Sequence, residues 1–120
     1  MANNPNKSVR RIINASRFSW QGLRAAYKHE EAFRQEFFLL LISVPLALWL
    51  GDNALEIGLM VSSIILVLIV EILNSAIEAV VDRFGGEMHE LSGRAKDMGS
   101  AAVSLALLYA LVCWISVLLM

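Results

Sequence analysis

One face of a predicted helix in the second half of the chain has the composition of a chemical site. Offsets 0, 3, 4, 7 and 11 along it are occupied by Glu71, Asn74, Ser75, Glu78 and Asp82, and these offsets fall on one side of an α-helix. Three carboxylates on one face repel one another and are costly close to hydrocarbon. The pattern indicates a site for a divalent cation, a proton or both. A polar face that only joins helices in an oligomer is the alternative.

A second polar segment, residues 84–100, follows this face and mixes glycine, acidic, basic, histidine and hydroxyl residues. We expect Ser92 to cap a helix here, with Lys96 and Asp97 in or near its first turns. A helix start that carries a lysine suits a phosphate group. The segment lacks both the GxxxxGK[ST] and the GxGxxG pattern, so a solvated loop is the alternative. His89 taken alone is more typical of a surface residue than of a metal ligand.

The composition places these polar segments in a membrane protein. Of the 120 residues 58% are hydrophobic and only 18% are charged, against about 25% charged in an average soluble domain. Cys113 is the only cysteine, which excludes a disulfide scaffold. A net charge of −1 does not suggest a nucleic-acid partner. The chain is therefore predicted to be one small integral membrane domain over residues 1–120.

Three apolar segments are predicted to span the bilayer as helices. They cover residues 32–50, residues 54–83 with a polar extension, and residues 101–119 after the loop and helix start at 84–100. Nineteen helical residues extend about 28 Å, close to the hydrocarbon thickness of a bilayer. Asn53 and Glu56 have the spacing of a capping box at the start of the second span. Gly85 and Gly86 are expected to stop that helix.

Residues 7–29 form a predicted amphipathic helix in the membrane surface. Its apolar positions recur at helical spacing and are Val9, Ile12, Ile13, Trp20, Leu23 and Tyr27. All ten Lys and Arg residues precede the uncharged run 37–50 of the first span or lie at positions 83–96, between the apolar part of the second span and the third span. The positive-inside rule therefore predicts a cytoplasmic N-terminus and 84–100 loop, and an external C-terminus. Trp49 and Trp114 are expected to be aromatic anchors near the external interface.

Longer motifs give the chain a family resemblance. Residues 71–83 (EILNSAIEAVVDR) and 89–103 (HELSGRAKDMGSAAV) resemble the signature of the prokaryotic diacylglycerol kinases. In the N-terminal third, residues 11–13, 19–20, 22–26, 30 and 32–36 fit the same family in order and spacing. The resemblance implies an all-α, homotrimeric enzyme of the bacterial inner membrane, with an N-terminal surface helix and three transmembrane helices. It would transfer the γ-phosphate of ATP to diacylglycerol and require Mg²⁺.

The resemblance also implies roles for individual residues. Glu71 would be the general base, and Glu30 and Glu78 would hold the metal ion. Asn74 and Asp82 would support the site. ATP contacts would come from Arg11, Phe18, Glu30, Glu78, Glu87, Met88, His89, Lys96 and Asp97. Lipid contacts would come from Arg11, Ser19, Trp20, Arg24, Ala32, Phe33, Arg34, Gln35, Glu36, Glu71, Met98, Gly99 and Ser100. The family pattern has tyrosine, asparagine and an aromatic residue where this chain has Phe18, His29 and Met88.

The partners implied are ATP, diacylglycerol, membrane lipid and further copies of the chain, with no nucleic acid. Three alternatives stay open. The first is a polyprenol kinase acting on undecaprenol, because that sister group shares much of the second-span signature. The second is a small proton-coupled transporter, although such exporters have four spans and one acidic residue deep in the first. The third is a non-catalytic scaffold whose polar face only assembles a trimer.

Overall fold

The computed structural model describes residues 5–84 and 89–120, which form four α-helices. They are α1 (Pro5–His29), α2 (Glu31–Leu50), α3 (Ala54–Asp82) and α4 (Glu90–Leu118). The described residues contain no strand, so the predicted all-α class is confirmed. The three helices α2, α3 and α4 are long and apolar enough to cross a membrane. The expected stop at Gly85 and Gly86 lies outside the described residues.

The turn between α2 and α3 is closed by side-chain caps. Asn53 Oδ1 accepts a hydrogen bond from the Glu56 backbone N–H at 2.9 Å, as the capping-box spacing predicts. The Glu56 carboxylate reaches one residue further back than expected and accepts from the Asp52 N–H at 3.1 Å. A Cβ at Gly51 would overlap the Ile57 side chain. The turn is thus tight, which keeps α2 antiparallel and adjacent to α3.

The start of α4 differs from its prediction. The helix begins at Glu90, and its N-cap is His89, whose Nδ1 accepts from the Leu91 N–H at 3.0 Å. The prediction of Ser92 as the cap is therefore wrong, because an imidazole acceptor three residues earlier already satisfies one of the free N–H groups of the first turn. Lys96 and Asp97 consequently lie in the second turn of α4.

Helix α3 is the centre of the bundle and packs against both α2 and α4. Three small apolar clusters run along it, centred on Met60 near the turn, on Val67 in the middle and on Leu68 beside α1 and α2. Trp114 of α4 lies half-buried against the first two clusters, and its Nε1 donates to the Met60 carbonyl at 3.1 Å. Trp114 therefore packs inward on α3 instead of being a free interfacial anchor, whereas Trp49 is 80% exposed.

Most apolar side chains of these helices point outward. Within the chain, only 17% of the most apolar stretch of α2 is buried. The corresponding buried shares are 39% for α3 and 22% for α4. The apolar positions of α1 are also exposed, including Ile12 at 67% and Trp20 at 64%. Such surfaces are stable next to lipid tails or other apolar helices, not in water. The exposed face of α1 agrees with a helix that lies on the membrane surface.

The Trp114 bond gives a prediction for stability. Trp114→Phe keeps an aromatic ring but removes the N–H that reaches the Met60 carbonyl. We expect the free energy of unfolding, measured by SDS titration in mixed micelles, to fall by about 1 kcal/mol. Trp49→Phe is the matched control and should leave it unchanged. Equal effects of the two substitutions would contradict a specific role for the Trp114 bond.

Candidate active site

The predicted polar face of α3 is buried where it approaches the other helices. Glu71 is 6% exposed and Asn74 is 8% exposed, whereas Glu78 is half-buried one turn further on. Asn74 Nδ2 donates to Glu78 Oε1 over a long 3.4 Å. These side chains lie inside the described bundle instead of facing lipid, as expected for polar groups at membrane depth.

The junction of α1 and α2 brings two more carboxylates to this face. Glu30 interrupts the helix with extended backbone angles, φ −114° and ψ 109°. Its N–H donates to the Ala26 carbonyl at 2.9 Å, so α1 ends immediately before it. The Glu71 carboxylate interacts electrostatically with those of Glu30, Glu36 and Glu78. Residues that are distant in sequence thus form one carboxylate cluster, defined here as Glu30, Glu36, Glu71 and Glu78.

Helix α4 closes the other side of this cluster at Gly99. Gly99 is buried, and a Cβ at this position would overlap Asn74 Oδ1. A glycine inside a helix costs about 1 kcal/mol relative to alanine, and here it allows the Asn74 amide to pack directly on the α4 backbone. The resemblance assigned Gly99 to lipid contacts, and its role in the packing of Asn74 was not predicted.

Two buried oxygen acceptors at the site have no hydrogen-bond partner among the described residues. They are Glu36 Oε2 and Asn74 Oδ1. An unsatisfied buried acceptor costs about 1–3 kcal/mol, so native structures usually pair such atoms with protein, water or ligand. Both residues are close to Glu71. Glu36 interacts electrostatically with Glu71, and Asn74 follows Glu71 by one helical turn. The site therefore suits a ligand that brings hydroxyl donors.

An ion pair lies at the more exposed end of the same face. Lys96 Nζ donates to Asp82 Oδ1 at 2.9 Å, and both side chains are largely solvent-exposed. Lys96 precedes Gly99 by three residues, so the two share one face of α4 toward α3. Asp97 is exposed beside Lys96. The two predicted groups of polar residues, on α3 and on the start of α4, are thus brought together.

An apolar groove of about 530 Å³ runs between α1, α2 and α3. Its walls include Trp20 and Arg24 of α1, Phe37 of α2 and Ile72 of α3. Phe37 and Ile72 directly follow Glu36 and Glu71 in sequence, so the helices that line the groove also carry these two carboxylates. The apolar lining of this groove suits a long apolar chain.

Other predicted site residues lie elsewhere on the described surface. Arg11 borders a separate depression with Ser8 and Ala15 and forms no hydrogen bond or ion pair with residues that the structure describes. Phe18 is 60% exposed, and the Arg17 guanidinium lies 5.5 Å from its ring centroid. Five predicted contact residues are exposed on their helices, namely Ser19, Ala32, Gln35, Met98 and Ser100. Glu87 and Met88 lie outside the described residues.

The donor set at the cluster agrees with a hard cation held jointly with a phosphate. Within residues 5–84 and 89–120, no three His, Cys, Asp or Glu side chains are close enough to hold a metal ion by themselves. Glu30, at the break between α1 and α2, and Glu78 of α3 both act electrostatically on Glu71, so two further carboxylates lie near it. Mg²⁺ typically takes one or two carboxylates and completes its shell with substrate phosphates and water. The residues present fit that mode.

One contact at the site was missed by the sequence patterns. Arg34 was placed among the lipid contacts, but its Nη1 donates to the Tyr27 carbonyl at 2.8 Å and to the Lys28 carbonyl at 3.1 Å. The guanidinium therefore lies on the C-terminal end of α1. The sequence feature that could have indicated this contact is a basic residue shortly after the predicted end of α1, because cations are favourable near the C-terminal end of a helix.

Comparison with known proteins agrees with the motifs. A family model described as prokaryotic diacylglycerol kinase matches residues 17–118. A diacylglycerol kinase of Escherichia coli (strain K12) is 59% identical over 114 residues, covering 95% of this chain and 93% of that protein. The enzyme of the same name from Haemophilus influenzae is 54% identical over 103 residues, covering 86% and 87%. That from Pseudomonas aeruginosa is 48% identical over 111 residues, covering 92% and 90%.

The family model covers the second half of α1 and all the residues of the carboxylate cluster. In each of the three comparisons the match with the relative covers at least 86% of this chain and of the relative. Together with bacterial relatives of this kind, the three apolar helices identify a multi-pass bacterial membrane protein. Because the family model and the relatives cover most of the chain, the chain belongs to the prokaryotic diacylglycerol kinase family.

Proposed function

We propose that the protein is an ATP-dependent diacylglycerol kinase, which transfers the γ-phosphate of ATP to the free hydroxyl of 1,2-diacylglycerol to give phosphatidic acid and ADP. The observation that carries this proposal is that α3 bears the buried Glu71 of the carboxylate cluster and also lines an apolar groove. The groove suits acyl chains, and the cluster suits a hydroxyl and a metal–nucleotide complex. The relatives named diacylglycerol kinase support the same substrate.

Glu71 is the proposed general base. Its carboxylate would accept the proton of the attacking hydroxyl while the hydroxyl oxygen forms a bond to the γ-phosphorus and the bond to the bridging oxygen of ADP breaks. Burial next to Ile72 and the groove suits a lipid hydroxyl whose tails stay in an apolar environment. The unpartnered oxygens of Glu36 and Asn74 are proposed to orient the glycerol headgroup, since both can accept from a hydroxyl donor.

Glu30 and Glu78 are the proposed ligands of Mg²⁺. When bound, the ion neutralises charge on the β- and γ-phosphates and holds the nucleotide in place. Lys96, which already lies beside Asp82 at 2.9 Å, is proposed to pair with phosphate oxygens, with Asp97 close by. Phosphoryl transfer depends mainly on positioning and charge neutralisation, and charged residues from three helices provide both here.

The proposed setting is the bacterial inner membrane, with the N-terminus and the 84–100 segment in the cytoplasm. Every Lys and Arg lies before the uncharged part of α2, residues 37–50, or between the apolar parts of α3 and α4, which supports this orientation by the positive-inside rule. ATP is then on the same side as the carboxylate cluster. We also propose that three copies assemble, as the family resemblance implies, with outward apolar faces of α2 and α4 available for contacts between copies.

The acceptor is tested by supplying two lipid alcohols to the purified protein. In mixed micelles with ATP labelled at the γ-phosphate, we expect label to enter phosphatidic acid when diacylglycerol is present. Undecaprenol should be labelled more slowly at equal mole fraction. Preferred labelling of undecaprenol would favour the polyprenol kinase alternative. Transfer to neither lipid would contradict kinase activity.

Glu71→Gln tests the base. The substitution keeps the size of the side chain but removes its ability to accept a proton, so we expect kcat to fall by about 10²–10⁴-fold. Glu56→Gln is the matched control, since it changes the other buried glutamate of α3 and keeps an oxygen for the Asp52 N–H. Normal turnover in Glu71→Gln, measured in the same labelling assay, would contradict the assignment.

Glu30→Gln and Glu78→Gln test the metal ligands. Each should raise the Mg²⁺ concentration needed for half-maximal activity by about tenfold or more, because loss of even an outer-shell partner commonly costs that much in metal affinity. Glu31→Gln removes a neighbouring exposed carboxylate and serves as the control. A Mg²⁺ titration curve identical to that of the unmodified protein would count against the substituted residue as a ligand.

A further inference from the structure

Arg34 joins the surface helix to the first span at the point where Glu30 interrupts them. Its side chain starts in the first turn of α2 and is half-buried. One guanidinium nitrogen donates to two successive carbonyls of α1, those of Tyr27 at 2.8 Å and Lys28 at 3.1 Å. In the same turn, the Arg34 backbone N–H donates to the Glu30 carbonyl at 3.2 Å. Arg34 therefore holds the chain on both sides of Glu30.

These contacts match the chemistry of a helix end. The last carbonyls of an α-helix lack partners within the helix and carry partial negative charge. The Glu30 N–H satisfies the Ala26 carbonyl at 2.9 Å, and the next two carbonyls are those that Arg34 reaches. A guanidinium is always charged and presents donors in a rigid plane, so it fixes the direction of α1 more firmly than a neutral donor.

The remaining contacts between α1 and α2 are few and apolar. Ala26 and Phe33 pack with Leu68 of α3, and the Tyr27 and Phe37 rings meet edge to face with centroids 5.9 Å apart. Apolar contacts of this kind allow some rotation and sliding. The Arg34 hydrogen bonds are directional, so the angle between α1 and α2 depends on them.

We propose that Arg34 is a positioning residue that fixes α1 against α2 and thereby places the Glu30 carboxylate near Glu71. It acts through the end of α1 instead of binding the lipid acceptor. The consequence for catalysis depends on the proposed role of Glu30 in holding Mg²⁺, whereas the effect on the helix geometry does not. Loss of Arg34 should therefore impair use of the metal–nucleotide complex more than use of the lipid.

The geometry is tested by a distance measurement without turnover. Spin labels at Gln21→Cys in α1 and Leu41→Cys in α2, both exposed positions, are measured by pulsed electron spin resonance in lipid nanodiscs. The background carries Cys113→Ala, and labelled chains are diluted with unlabelled ones. Arg34→Ala should broaden the distance distribution, and Arg34→Lys, which keeps the charge, should restore most of its sharpness. Arg10→Ala, on the exposed surface of α1, is the control and should leave it unchanged.

The same variants are then compared by Mn²⁺ binding and by kinetics. We expect Arg34→Ala to weaken Mn²⁺ affinity in the presence of ATP and to raise the KM for the metal–ATP complex by about tenfold. The KM for diacylglycerol should change by less than about twofold, and Arg34→Lys should recover part of the loss. An unchanged distance distribution in Arg34→Ala, or a rise confined to the KM for the lipid, would overturn the proposal. If Glu30→Gln leaves the metal requirement unchanged, the proposed Glu30 role fails, but the distance result still decides whether Arg34 fixes α1.

Discussion

The repulsion among carboxylates beside hydrocarbon is the constraint on which this structure depends. Glu71 is buried near the charges of Glu30, Glu36 and Glu78. The two ion pairs of the described residues join Arg94 to Glu90 and Lys96 to Asp82, so neither neutralises the cluster. Buried like charges of this kind are unfavourable unless a cation or a proton compensates them. Bound positive charge would relieve this repulsion, which is the role proposed for the metal–nucleotide complex.

Packing around α3 holds the four carboxylates of the cluster, which lie on α3, on α2 and at the break before α2. Glu71 and Glu78 belong to α3, Glu30 to the break between α1 and α2, and Glu36 to α2. Gly99 allows α4 to approach Asn74 closely, and apolar contacts of Phe33 with Leu68 close the other side. Because the α1–α2 junction and α3 are distant in sequence, the cluster forms only when these helices pack together. A local loss of packing is thus expected to change the site as well as stability.

Features that depend on local sequence were predicted well. The helical spacing of Glu71 and Glu78, the apolar lengths of the spans and the Asn53–Glu56 cap all follow from neighbouring residues. Contacts that depend on how helices cross were not predictable in this way. The inward packing of Trp114, the approach of Gly99 to Asn74 and the Arg34 contact with α1 each join separate elements. The role of His89 as the N-cap of α4 was not predicted, because Ser and Asp are more usual N-cap residues.

A chain of 120 residues is small for a kinase. Its surface combines an apolar groove with a polar cluster, and this combination explains how so few residues can serve the reaction. Phosphoryl transfer requires correctly positioned charges, and the protein itself contributes little covalent chemistry. In the proposed mechanism the membrane orients the lipid, so the chain needs only a groove for the tails and a polar cluster at the depth of the headgroup. Helix α3 supplies both, with Leu68 and Ile72 lining the groove and Glu71 lying between them in sequence. A single helix that changes from apolar to acidic thus joins the two halves of the reaction.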